Sequence, residues 1–225
     1  MTSAPPPVNT DQWDKDSVVL IKSRLARWHR NTMLSRSKFD RMVTNKNVKL
    51  LDLGCGSGPF LAFFASQGFK NLYGVEPDAQ LVANIPANIH AEVKTCRAEA
   101  IEFPDETFDV VFVYGVMHHL KGLASYEAAC TEMARILKPG GLIFILEPGR
   151  PFVFRMLEIS AKILGVFSQT FRALSNCMEA ERPEQHFFLD NHSKIRQYLG
   201  AARCKPVSDG YFGYSWLYTV QKERP

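Results

Sequence analysis

The sequence lacks the patterns that mark disulfide-bonded, metal-binding and membrane-spanning proteins. Its five cysteines lie far apart and include no Cys-x-x-Cys pair, which favours a reduced intracellular protein whose thiols pack in the core. No stretch of about 20 apolar residues is present, as a transmembrane helix would need. Residues 1–9 are Pro-rich and lack the basic-then-apolar order of a signal peptide. These absences predict a cytoplasmic protein without a resident metal.

Strong net charge is also missing, which limits the range of partners. The formal charge is +4 over 225 residues. Residues 18–43 carry most of the excess, with seven Lys/Arg against Asp40 alone. This basic segment lacks the interleaved aromatic residues of a base-stacking surface, which disfavours nucleic acid as a partner. It is expected either to pack beside the rest of the fold or to cover a site or contact an anionic surface.

The segment Leu-Leu-Asp-Leu-Gly-Cys-Gly-Ser-Gly-Pro-Phe, residues 50–60, is the most informative stretch of the chain. An apolar run of strand length, residues 48–53, ends at three glycines on alternate positions. Pro59 and further apolar residues then begin a helix. Glycine permits positive φ and close approach of a ligand, and a helix N-terminus presents free N–H groups. Both dinucleotide dehydrogenases and S-adenosylmethionine (SAM) enzymes use such turns, so the motif alone leaves both open.

Strands and helices alternate after this motif, which predicts an α/β fold with a doubly wound, mostly parallel sheet and helices on both faces. Helices are expected after the first, second and fourth strands, with Asp78 as an N-cap. The expected strands are residues 48–53, 71–76, 89–96, 108–114 and 142–146, followed by a strand pair at 204–212 and 214–222.

The chain is predicted to form a single domain after a disordered tail at residues 1–10. Within residues 11–225, the expected parts are N-terminal helices (11–47), a cofactor-binding core (48–149), a helical insert or lid (150–190), and a final helix with the strand pair (191–225). The insert is rich in Phe, Leu, Ile and Met, with Arg and Lys at helical spacing.

Ligands of doubly wound sheets bind at the carboxyl ends of the strands. Glu76 ends the second strand about 20 residues beyond the glycines, where a carboxylate can accept hydrogen bonds from both ribose hydroxyls. The other residues expected at this edge are Gly54, Cys55 and Gly56 after the first strand, Arg97, Ala98 and Glu99 after the third, and Tyr114, Gly115, Val116, His118 and His119 after the fourth.

Four segments together resemble the class I SAM-dependent methyltransferases, specifically the small-molecule (type 11) group nearest the ubiquinone/menaquinone methyltransferases. They are LLDLGCGSGPF at 50–60, GVEPD at 74–78, RAEAIEFPDETFDVVFVYGVMHHL at 97–120 and EMARILKPGGLIFILEP at 132–148. The resemblance covers about residues 48–148. It implies a seven-stranded Rossmann-like sheet with an antiparallel last strand, and it disfavours a dehydrogenase.

The resemblance implies a role for each matching residue in binding SAM. Asp52 and the turn Gly54-Cys55-Gly56 should lie at the methionine part of the cofactor, and Glu76, followed by Pro77, should hold the ribose. Ala98 and Glu99 should border the adenine, and Tyr114 and Gly115 should face the sulfonium. Many relatives carry an acid at the position of Arg97, which cannot accept a hydrogen bond, so backbone or Glu99 should receive the adenine amino group.

The implied activity is transfer of a methyl group from SAM to a small molecule, with S-adenosylhomocysteine (SAH) as product. His119 and His186 are the candidate general bases, and both also have structural interpretations. The apolar insert favours a lipophilic or aromatic acceptor, with the insert serving as a lid or resting on a membrane surface. No Asn/Asp-Pro-Pro-Tyr/Phe run follows the fourth strand, which disfavours nucleic-acid amines. A SAM/SAH-binding regulator without turnover and a protein or RNA methyltransferase stay open, and the oligomeric state is not predicted.

Overall fold

The computed structural model describes residues 31–149, 151–213 and 215–225, without the side chains of residues 151–155 and 180. A seven-stranded sheet with the order β3-β2-β1-β4-β5-β7-β6 forms the centre. Its strands are β1 Lys49–Leu53, β2 Asn71–Val75, β3 Ala91–Lys94, β4 Phe108–Tyr114, β5 Leu137–Pro148, β6 Cys204–Phe212 and β7 Ser215–Lys222.

Strand directions agree with the predicted fold class. β1 pairs in parallel with β2 on one side and with β4 on the other, so that Leu51 lies opposite both Tyr73 and Val111. β7 runs antiparallel to β5 and to β6. The prediction of a mostly parallel doubly wound sheet with an antiparallel last strand is therefore confirmed. Strand order reverses between β1 and β4, and this places the ligand-binding edge at their carboxyl ends.

Helices cover both faces of the sheet. Their bounds are α1 Phe39–Met42, α2 Pro59–Ser66, α3 Ala79–Ala83, α4 Gly122–Ile136, α5 Pro151–Leu164, α6 Gln169–Asn191 and α7 Ser193–Ala201, with a 3-10 helix at Met117–His119. Residues 31–36 are also helical. Asp78 caps α3, since its side chain accepts a hydrogen bond from Gln80 N, as predicted.

The sheet separates two apolar clusters because alternate residues of each strand point to opposite faces. Leu51 and Leu53 of β1 pack in one cluster with α4, α7 and the end of α6. Leu50 packs in the other with α2 and Phe39, whose ring centroid lies 4.9 Å from that of Phe144. Residues 31–43 thus pack against the sheet, whereas the predicted tail at 1–10 and helix at 11–30 lie outside the described residues.

Two predicted strands differ from the structure by more than one residue at an end. The third strand is shorter than residues 89–96, and β5 begins at Leu137 rather than Leu142. Residues 181–190 of the predicted helical insert belong to α6, a 23-residue helix that contains Pro183. A proline inside a helix removes one backbone hydrogen bond, and here the tertiary contacts of the helix outweigh that loss. No helix in the part of the chain that the structure describes is long and apolar enough to cross a membrane.

Candidate cofactor and acceptor site

The glycine turn after β1 combines close packing at one glycine with open space at another. Gly54 has φ +74°, and a Cβ added there would lie 2.3 Å from Val116 Cγ2, so this position excludes any side chain. Gly56 has φ +51°, and a Cβ added there would meet no atom within 4 Å. The turn therefore packs tightly against the segment after β4 and leaves a free space at Gly56 that suits a ligand.

The backbone donors of this turn are already paired within the protein. Gly54 N and Cys55 N both donate to Val75 O, at 2.7 and 3.0 Å. Gly56 N donates to Glu76 Oε2 at 2.9 Å, and Glu76 Oε1 accepts from Asp78 N at 3.0 Å. Glu76 thus holds the turn in shape, and each of its oxygens retains a second lone pair for a further donor.

Asp52 lies on β1 directly below the turn and is buried, with 2% of its surface exposed. Its Oδ2 has no hydrogen-bond partner. Burial, together with the nearby negative charge of Glu76, raises the pKa of Asp52 to about 8. An unpaired buried carboxylate oxygen is costly, so this atom marks a place where a cationic or N–H-bearing group would be stabilised.

The segment after β3 is held in place by side chains from α4. Arg135 donates to the carbonyl oxygens of Ile101 and Phe103, at 2.8 and 2.9 Å, and Glu132 accepts from Ile101 N at 2.7 Å. Ala98 is buried, and Glu99 pairs with Arg97 at 3.0 Å. The Arg97 side chain in this ion pair is largely exposed, whereas that of Glu99 is mostly buried.

Cys55 and Tyr114 point away from the turn. The Cys55 side chain is buried, and its Sγ would lie 2.7 Å from a Cβ added at Gly74. The Tyr114 ring packs on Phe60, with centroids 4.8 Å apart. Gly115, with φ +65°, has only His118 Cε1 within 4 Å of an added Cβ, at 3.7 Å. Cys55 therefore offers only its backbone to a ligand at the turn. Gly115 leaves room for a ligand at the end of β4.

Glu147, at the end of β5, organises the segment that follows β4. Its side chain is fully buried, and its Oε1 accepts from Val116 N and Met117 N at 2.6 and 2.7 Å. Its Oε2 lies 2.7 Å from His118 Nδ1. Burial alone would lower the pKa of His118, but the carboxylates of Glu147 and Glu181 outweigh burial and raise that pKa to about 10.

The sequence did not single out Glu147 or Glu181, because their contacts with His118 join distant parts of the chain. The only signal for Glu147 was its place at the end of an apolar strand.

The two predicted bases occupy different environments. His119 is partly exposed, and its Nδ1 lies 3.1 Å from Glu184 Oε2 on α6. His186 is exposed on α6, on the face opposite Glu184 and Phe188, since residues two apart on a helix point in different directions. The structure brings His119 to the carboxyl edge of the sheet and does not bring His186 there.

The sheet order, the glycine turn and the acid after β2 are typical of a doubly wound α/β fold that binds a nucleotide-like ligand at the carboxyl ends of its strands. Residues 51–145 match the family model described as a methyltransferase domain. This part of the chain, 95 of 225 residues, is therefore similar to methyltransferase domains.

Relatives and solved structures agree with this class. The chain is 28% identical over 159 residues to a demethylmenaquinone methyltransferase of Anoxybacillus flavithermus, covering 66% of this chain and 63% of that protein. It is 27% identical over 218 residues to a ubiquinone/menaquinone biosynthesis C-methyltransferase (UbiE) of Geobacter sulfurreducens, covering 87% of this chain and 78% of that protein. The crystal structure of the PH0226 protein from Pyrococcus horikoshii shares the fold, with a TM-score of 0.68, 18% identity, and coverage of 90% of this chain and 94% of that one.

Proposed function

We propose that this protein transfers a methyl group from SAM to a lipophilic or aromatic small molecule and releases SAH. The observation that carries the proposal is the arrangement around one glycine turn. Open space at Gly56, the two-oxygen acceptor Glu76 and the unpaired buried oxygen of Asp52 all meet there. These features match the shape, the ribose hydroxyls and the ammonium group of SAM.

Each part of the cofactor then has a protein partner. Glu76 would accept from the ribose hydroxyls, and Asp52 would offset the charge of the ammonium group. Ala98 and Glu99 would border the adenine, with the segment held by Arg135. Backbone at Tyr114–Gly115 would lie by the sulfonium.

SAM itself supplies the electrophilic methyl group. The protein contributes alignment of the acceptor, an effect worth about 7–11 kcal/mol in well-oriented reactions, and exclusion of water.

The acceptor class rests on the insert and on the relatives. The relatives named above act in quinone biosynthesis by their names, and we extend to this chain only the chemical class, a lipophilic aromatic ring. Helix α6 contacts the segment after β4 through Glu181 and Glu184, and we place the acceptor between α6 and the glycine turn. We assign His119 a positioning role there, since Glu184 holds its ring. The exposed His186 takes no part.

We further propose that the insert rests on a membrane surface to collect this acceptor. The end of α5 and the turn that joins it to α6, residues 163–168, form the α5–α6 tip. Val166 and Phe167 are 71% and 85% exposed at this tip, and Ile163 is 60% exposed. An open cavity of about 410 Å³ at its base is lined by Lys162 and Arg172 and by one acid, Glu179. Apolar side chains beside basic ones suit an interface with anionic lipid.

Substrate-dependent SAH release tests the proposed activity. The purified protein is incubated with SAM and a panel of quinols, phenols and lipids, and SAH is measured by chromatography. A Glu76→Ala variant serves as the cofactor-site control. Turnover with at least one aromatic or lipophilic member supports the proposal. SAM binding without turnover on any acceptor would favour a regulator, and turnover restricted to protein or RNA would favour the other alternative.

A further inference from the structure

The ring nitrogens of His118 and His119 and a carboxylate oxygen of Glu181 meet at the junction of the 3-10 helix and α6. One ligand atom from each lies within 4.8 Å of the others. His118 Nε2 is 3.6 Å from Glu181 Oε2, and the centroids of the two imidazole rings are 4.1 Å apart. From this cluster we propose a binding site for a divalent transition-metal ion of the Zn²⁺ class, independent of the methyl-transfer proposal.

A carboxylate already orients each histidine in the manner of metal-binding sites. Glu147 holds Nδ1 of His118 at 2.7 Å, and Glu184 holds Nδ1 of His119 at 3.1 Å. Metal-ligating histidines commonly donate their other ring N–H to a carboxylate, which fixes the tautomer and the direction of the ring. Both Nε2 atoms are thereby left as the ligating atoms.

Unpaired polar atoms surround the same cluster. His118 is 5% exposed, and its Nε2 makes no hydrogen bond, since Glu181 Oε2 lies 3.6 Å away. Two further buried atoms without hydrogen bonds lie on nearby side chains. They are the hydroxyl oxygen of Tyr126, whose ring packs against Phe187 and Phe188 of α6, and Oε1 of Gln185, whose amide donates to Glu181. Three of the four such atoms in the described part of the chain thus belong to this cluster or to residues that interact with it.

The charge of the cluster also favours a cation. Glu147, Glu181 and Glu184 contribute three carboxylates to two imidazoles.

Two nitrogens and one carboxylate oxygen form a donor set that suits Zn²⁺ and leaves a fourth position open. Tetrahedral geometry requires ligand atoms about 3.3 Å apart, so the three atoms, which lie within 4.8 Å of one another, would move closer together when the ion binds.

The ion would join two parts of the molecule that are far apart in sequence. His118 and His119 follow β4 at the cofactor edge, whereas Glu181 belongs to α6 of the insert. Metal binding would therefore fasten α6 over the carboxyl end of the sheet, beside Gly115.

Zinc titration of the chelator-treated full chain tests the site. We expect one Zn²⁺ per chain, with micromolar or tighter affinity, by calorimetry and equilibrium dialysis. Glu181→Gln and His119→Ala should each weaken binding by at least about tenfold. Glu179→Gln, an exposed acid on the same helix, and His90→Ala, an exposed histidine elsewhere, should leave the affinity unchanged. Circular dichroism of every metal-free variant establishes that it is folded.

Co²⁺ spectra identify the ligands, because the five cysteines offer a competing site. Tetrahedral d–d absorption without thiolate charge-transfer bands is the expected result. Less than one Zn²⁺ per chain, thiolate bands, or equal affinity in the folded Glu181→Gln protein would each overturn the proposal.

Discussion

The N–H of Gly56 donates a hydrogen bond to Glu76 Oε2 at 2.9 Å, so the acid after β2 holds the glycine turn that follows β1. Glu76→Ala removes both this acceptor and the proposed ribose partner. We expect the dissociation constant for SAM to rise by more than about tenfold, since hydrogen bonds to charged groups contribute about 1.5–3 kcal/mol each. Calorimetric titration with SAM measures the change. Glu92→Ala, an exposed acid on β3, is the matched control, and unchanged affinity in Glu76→Ala would refute the assignment.

Gly54 and Gly56 should respond differently to the same substitution. Gly54→Ala places a methyl group against Val116 and should reduce the free energy of unfolding by at least about 2 kcal/mol. The methyl group of Gly56→Ala meets open space, so the free energy of unfolding should fall by only about 1–2 kcal/mol, because alanine disfavours the positive φ at this position. The same substitution should abolish SAM binding. Urea unfolding and SAM titration of both variants separate the two effects. Normal SAM binding by Gly56→Ala would show that the free space is not the cofactor site.

Asp52 should make the stability of the ligand-free protein depend on pH. Its folded-state pKa of about 8 lies above the unfolded value. The folded state therefore binds more protons than the unfolded state between about pH 4 and 8. The free energy of unfolding falls as the pH rises through that window. Between about pH 5 and about pH 8, the free energy of unfolding should fall by about 2–4 kcal/mol more in the wild type than in Asp52→Asn. Equal pH slopes in urea unfolding of the two proteins would contradict this.

The α5–α6 tip should control attachment to lipid. Replacing Val166 and Phe167 by serine removes two exposed apolar side chains, each worth up to about 1.5–3 kcal/mol when buried. Binding to vesicles containing anionic lipid, measured by co-sedimentation, should therefore fall by at least about tenfold, with SAM affinity unchanged. Val207→Ser, an exposed apolar position on β6, is the control. Vesicle binding equal to that of the wild type would exclude the tip as the attachment site.

Arg135 should stabilise the segment after β3 rather than act in the chemistry. Arg135→Met removes hydrogen bonds to the carbonyl oxygens of Ile101 and Phe103 and leaves the Glu132 carboxylate without its cation. We expect a loss of about 2–3 kcal/mol in the free energy of unfolding. SAM affinity should fall less than in Glu76→Ala. Lys138→Met is the control, since it removes a more exposed ion pair with Asp109. It should reduce the free energy of unfolding by less than about 1 kcal/mol.

The sequence was most informative where local pattern and tertiary position agree. β4 is apolar on both faces and could only be a central strand, and the alternate glycines located the turn after β1 without ambiguity. The spacing to Glu76 predicted an acid at the edge of the sheet, although not its bond to Gly56. These features depend on residues close together in the chain or on the regular alternation of strands and helices.

The organisation beside Gly115 could not be predicted because it depends on contacts across long stretches of chain. His118 meets Glu147 at a separation of 29 residues, and His119 meets Glu184 at a separation of 65. Glu181 and Glu184 lie in the predicted helical insert, but the sequence did not indicate that this helix contacts His118 and His119. The sequence favoured His119 over His118 as a base, but it did not indicate that His118 is the buried one of the two.

The position of β7 has a consequence for synthesis of the chain. β5 pairs with β4 on one side, while its other side pairs only with β7, as in Leu142 opposite Gln221 and Leu146 opposite Leu217. Until residues 215–222 leave the ribosome, the nascent protein presents an apolar strand edge that can pair with other chains. Removal of residues 215–222 should therefore produce aggregates rather than a smaller folded protein.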